Sequence, residues 1–91
     1  MIEITAIRLD GGDDHEHIAE VMWRSSSTTT GACTVEALVE WLNAAVENHA
    51  TTMGGAGRVE VGVVSHADRP AHLRARVGGV WGDDLLSLPR F

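Results

Sequence analysis

Apolar and polar positions along this chain follow two periods, and each marks a different kind of element. Ile2 to Leu9 is β-branched and apolar, so it reads as a strand. Ile2, Ile4 and Ala6 share one face of it, whereas Ile7 and Leu9 fall on the other. That change of parity points to a bulge or to a strand covered on both sides. Asp10-Gly11-Gly12-Asp13-Asp14 is turn chemistry. His17 to Arg24 forms a second strand, with Ala19, Val21 and Trp23 on one face and Ile18, Glu20, Met22 and Arg24 on the other. A Gly-rich connection between two such strands predicts an antiparallel hairpin. Arg58 to Val64 alternates through Val59, Val61 and Val63, a third strand. After the turn His66-Ala67-Asp68-Arg69-Pro70, His72 to Val77 is a fourth, with Leu73, Ala75 and Val77 inward and His72, Arg74 and Arg76 outward.

Between the two pairs the period changes to that of a helix. Thr34 supplies an N-cap and Glu36 an acid for the first turn, and Val35, Leu38, Val39, Leu42, Ala45 and Val46 make the apolar stripe. Trp41 edges the stripe, and Glu36, Glu40, Asn43 and Glu47 lie outside it. The helix is expected from Thr34 to about His49, ending before Met53-Gly54-Gly55-Ala56-Gly57. Ser25 to Gly31 reads as an exposed polar turn. Val80 to Phe91 is too apolar for a free tail and is expected to fold back, adding Trp81, Leu85, Leu88 and Phe91 to the core. The expected fold is α+β: a single domain over residues 1–91, with a ββαββ antiparallel sheet, one helix on one face and a docked C-terminal segment.

Composition narrows the setting. Ninety-one residues with 44% apolar content suit one globular domain. The single cysteine, Cys33, has no partner within the chain for a disulfide, and Met1-Ile2-Glu3-Ile4 opens with neither basic residues nor an apolar run. A cytoplasmic protein with no membrane association is expected. The formal charge of −6 repels nucleic acid at long range, and all seven basic residues are arginine. Arginine without lysine, amid abundant Ala, Gly and Val, fits a GC-rich genome.

A family resemblance runs through these elements. Its parts are Ile4-Thr5-Ala6-Ile7-Arg8-Leu9, the Gly11-Gly12 turn followed by His15-Glu16-His17-Ile18, the strand end Trp23-Arg24, the helix segment Leu38-Val39-Glu40-Trp41-Leu42 and Val61-Gly62-Val63-Val64. Leu73-Arg74, Gly79-Val80-Trp81 and Asp84-Leu85-Leu86-Ser87-Leu88-Pro89-Arg90-Phe91 are its strongest part, a Gly-x-Trp-x-x-Asx-Leu-Leu-x-Leu-Pro signature. Together they resemble a family of small bacterial, largely actinobacterial proteins known only as a domain of unknown function. The resemblance implies the fold and transfers no site.

Candidate chemistry is sparse. His15 and His17, within Asp13-Asp14-His15-Glu16-His17, would share a face if extended and could chelate a divalent metal. No further ligand stands at a recognisable spacing, since His49, His66 and His72 are scattered. Cys33 precedes a helix N-terminus, which lowers a thiol pKa, yet a lone cysteine is commonly packing. Ser25 to Thr30 lacks the lysine of a phosphate loop, and Gly54-Gly55-Ala56-Gly57 follows a helix rather than a strand. No catalytic, cofactor or metal residue is therefore assigned. Arg58, Arg74 and Arg76, with His72, could form a basic stripe for nucleic acid, but stacking aromatics are missing and Glu60 offsets the charge. The expectation is a non-enzymatic protein-interaction module that self-associates or binds a host protein. Ile7, Leu9, Ile18 and Met22 would form its apolar face on the side of the sheet away from the helix. Nucleic-acid binding through the arginine stripe is the alternative.

Overall fold

The hydrogen bonds of the first strand set the whole arrangement. In the computed structural model, which describes residues 1–25, 28–54 and 57–91, β1 (Ile2–Leu9) pairs antiparallel with β2 (Ile18–Arg24) on one edge. On the other edge it pairs parallel with β4 (Ala50–Gly54), but only at Ile2 and Glu3. Outside β2 lies β3 (Thr30–Thr34), and beyond β4 come β5 (Gly57–Val64), β6 (His72–Val77) and β7 (Val80–Gly82). Among the described residues the sheet therefore has seven strands in the order β3-β2-β1-β4-β5-β6-β7, with the helix α1 (Val35–Ala44) following β3. The α+β class agrees with the sequence. The ββαββ order and the wholly antiparallel sheet do not: Thr30–Thr34, Ala50–Gly54 and Val80–Gly82 are additional strands, and β1 and β4 run parallel.

Two irregularities in the β1–β2 ladder decide which side chains go inward. Register shifts between Ile4 and Ala6, and again between Arg8 and Leu9, leave Thr5 and Ala19 as extra residues. Each shift reverses the alternation. Ile4, Ile7 and Leu9 consequently share the face of Val21, Ile18 and Trp23, while Ala6 pairs with Met22 on the opposite face. This corrects the expected patch. Ile7 and Ile18 are 0% and 4% exposed within the same core as the helix, and Leu9 packs against that core. Of the four residues only Met22 stands out at the surface.

The helix begins as expected, with Thr34 Oγ1 accepting the N–H of Ala37 at 3.2 Å. It ends earlier. The side chain of Asn48 donates to the carbonyl of Trp41 at 2.6 Å, satisfying an acceptor that a helix end leaves open. Ala45 is already extended, and Val46, placed in the stripe by its spacing, is 93% exposed. Val35 and Leu38 are buried; Val39, Trp41 and Leu42 pack around them. Ala50 and Thr52 then enter the core from β4, where Thr52 Oγ1 donates to the carbonyl of Ile4 at 3.0 Å.

The C-terminal segment docks. Past Glu3, β1 has no ladder partner on its β4 side among the described residues, and the N–H of Ile7 donates there to Pro89 O at 3.0 Å. A 3₁₀ turn, Asp84–Ser87, drives Leu85 into the core at 0% exposure, with Leu86 and Leu88 packed on it. Trp81 does not join them. Its ring lies across Gly62 on the outer face, where a Cβ on residue 62 would come within 2.9 Å of it. Val77, expected inward, is also exposed.

Candidate functional site

The acidic-histidine cluster does not have the extended backbone that its spacing suggested. Residues His15–His17 form a 3₁₀ turn, so the two imidazoles do not share a face as they would on an extended strand. Asp14 caps the turn by accepting the N–H of His15 at 2.8 Å, and the ring of His17 accepts the N–H of Asp14 at 3.3 Å. His15 points into the protein, with its Nδ1 3.5 Å from Asp14 and its Nε2 3.8 Å from Asp83. Nε2 has no hydrogen-bond partner among the described residues. Burial pushes its pKa down, and Arg74 adds to the effect. His72, buried on β6, is likewise lowered by burial first and then by His66, on which it stacks with ring centroids 4.9 Å apart. His49 lies apart and exposed ahead of β4. Among the described residues, no three or more His, Cys, Asp or Glu side chains gather around a point where a metal could sit.

The arginine stripe is largely spoken for. Arg58 reaches Glu3 at 3.8 Å, and the same carboxylate oxygen takes Arg24 at 3.1 Å. Arg74 meets Asp83 at 3.0 Å and the carbonyl of Gly82. Arg76 sits 5.3 Å over the ring of Trp81, with Glu60 opposite it on β5. Within Ser25 to Thr30, the N–H of Ser25 donates to Thr29 O, while Ser26 and Ser27 fall outside the described residues. Gly54 and Gly57 close the β4–β5 ladder, and Gly55 and Ala56 fall outside the described residues.

The remaining feature was not legible as a site in the sequence. Between α1 and the β2–β3 pair lies a groove of about 330 Å³ lined by Ile2, Trp23, Ser25, Cys33, Ala37, Leu38 and Trp41. It holds no charged residue. Cys33 contributes a half-buried thiol whose pKa is raised by burial, so it meets the groove as a neutral, weakly polar sulfur rather than as an activated nucleophile. Beside the groove runs β3, Thr30-Gly31-Ala32-Cys33-Thr34, at the end of the sheet with one edge paired to β2 and, among the described residues, the other paired to no strand. It carries neither charge nor proline, the usual guards of an open edge. The clue in the sequence was the run of β-branched Thr28-Thr29-Thr30, which favours a strand although it reads as polar.

A family profile described as "Protein of unknown function (DUF3892)" matches residues 3–89. Among curated proteins and among solved structures nothing matches. No helix among the described residues is long and apolar enough to cross a membrane.

Proposed function

The chain belongs to the DUF3892 family, and on that footing we propose that it is a non-enzymatic protein-interaction module of the bacterial cytoplasm that binds an extended strand along β3. The observation that carries this reading is the open, uncharged β3 edge lying beside an apolar groove. Strand addition draws affinity from main-chain hydrogen bonds and specificity from the alternate side chains of the incoming strand. Here those side chains would lie over Cys33 and the groove on one face and beside Ala32 on the other. The neutral Cys33 thiol and the absence of a gathered ligand set among the described residues favour binding over chemistry.

Nucleic-acid binding is the less favoured reading, because Arg58, Arg74 and Arg76 already face a carboxylate or an indole. One experiment addresses both. A photoreactive residue at position 32 should yield protein adducts in cells, whereas the same residue at position 40, on the exposed side of α1, should not. Equal labelling at both positions, or a salt-sensitive shift of a labelled oligonucleotide by the purified protein, would overturn the proposal.

A further inference from the structure

We infer that the strand received by β3 is β3 of a second copy, paired antiparallel about a two-fold axis at Ala32. This rests on the strand-addition reading above. The sequence of β3 is close to self-complementary: with Ala32 on the axis, Thr30 stands opposite Thr34 of the second copy, and Gly31 opposite its Cys33. Thr–Thr cross-strand pairs are favourable, and every side chain in the strand is small.

Three observations fit a second copy of this chain in this antiparallel register. The first is charge. Two chains of formal charge −6 repel, so they can meet closely only where charge is absent or complementary. β3 has none, and β2 behind it places Arg24 in the row of Thr30 and Glu20 in the row of Thr34. Antiparallel pairing runs each row from Arg24 of one copy to Glu20 of the other, whereas parallel pairing would align like with like. The ends of a row are three strand spacings apart, about 14 Å, so the effect orients the encounter more than it binds.

The second is Trp23, which pairs with Gly31 and lays its indole over it. A Cβ on residue 31 would fall 2.6 Å from the ring, so only glycine allows the indole to reach across β3 towards the open edge. In the two-fold register the next residue along that row is Cys33 of the second copy, a sulfur–aromatic contact. The third is closure. β3 meeting β3 is isologous and stops at two copies, whereas β3 meeting the three-residue edge β7 would propagate.

Sedimentation of the purified wild-type protein at tens of micromolar should give a dimer, and Ala32→Lys should give a monomer with an unchanged far-UV spectrum. Register is tested by oxidative cross-linking in a Cys33→Ser background. Ala32→Cys should form a disulfide-linked dimer readily. Thr30→Cys alone should not, but should cross-link when mixed with Thr34→Cys. A monomeric wild type, or equal cross-linking of Ala32→Cys and Thr30→Cys, overturns the inference. If the wild type is monomeric yet position 32 still labels a different protein in cells, the self-pairing fails while strand addition stands. If neither dimer nor adduct forms, both fail.

Discussion

Phe91 donates its backbone N–H to the carbonyl of Ile7 at 3.1 Å, pairing residues 84 positions apart in sequence. The contact is reinforced from the neighbouring residue, since Arg8 Nε donates to Phe91 O at 3.2 Å and its guanidinium lies 4.8 Å from the centroid of the Phe91 ring. The segment that carries Phe91 also carries Leu85, so the first strand and the last residues form one packing unit.

Leu85→Ala should therefore cost about 2–5 kcal/mol, the range for emptying a buried leucine site. Deleting residues 80–91 should leave a molten or insoluble chain. Urea unfolding measures the first and amide NMR dispersion the second. A change below about 0.5 kcal/mol for Leu85→Ala would contradict the docking of this segment.

The burial of Leu38 on α1 and the end of the helix ahead of Val46 are tested by a pair of aspartates. Leu38 is 3% exposed and Val46 is 93% exposed. Leu38→Asp would bury an unpaired charge and should unfold the protein, whereas Val46→Asp should move stability by less than about 0.5 kcal/mol. Similar melting temperatures for the two variants would be inconsistent with a buried Leu38 and a helix that ends before Val46.

Thr52 is fully buried and its hydroxyl meets the carbonyl of Ile4 close to where β4 leaves β1. Thr52→Val keeps the shape and removes the donor, so it should cost about 1–3 kcal/mol, the penalty for leaving a buried acceptor unpaired. Chemical denaturation checks it, and a neutral result would mean that water or another group satisfies Ile4.

Acid should destabilise the fold through its buried histidines. Burial first, then Arg74, lowers the pKa of His15; burial first, then His66, lowers that of His72. The unfolded chain protonates at the ordinary value near 6.5, before the folded chain does. Their contribution is thus complete above about pH 6.5 and is lost as pH falls from there through the lowered folded values. The urea midpoint should fall between about pH 7 and pH 5, and by less in His15→Gln, which takes up no proton. A midpoint that rises over this interval would reverse the sign.

Much of the fold was legible in the residues themselves. β1, β2, β5 and β6 follow from alternation, the start of α1 from Thr34 and Glu36, and the docking of the C-terminal segment from its leucines. These signals are local: a side chain's neighbours in sequence suffice to show its preferred period. β3 and β4 were not legible, because their strand character comes from the strands they pair with and not from a pattern of their own. Thr30-Gly31-Ala32-Cys33-Thr34 has no apolar alternation and is a strand because β2 supplies its hydrogen bonds. Ala50-Thr51-Thr52-Met53-Gly54 lies between β1 and β5, and the amide of Asn48 closes the helix in time for it to do so. The change of parity in β1 was visible, but not its direction. Only the ladder with β2 shows that the extra residues Thr5 and Ala19 turn Ile7, Leu9 and Ile18 inward, because a bulge belongs to two strands and neither sequence contains it alone. That same tertiary pairing places β3 at the end of the sheet, with β2 as its strand partner among the described residues.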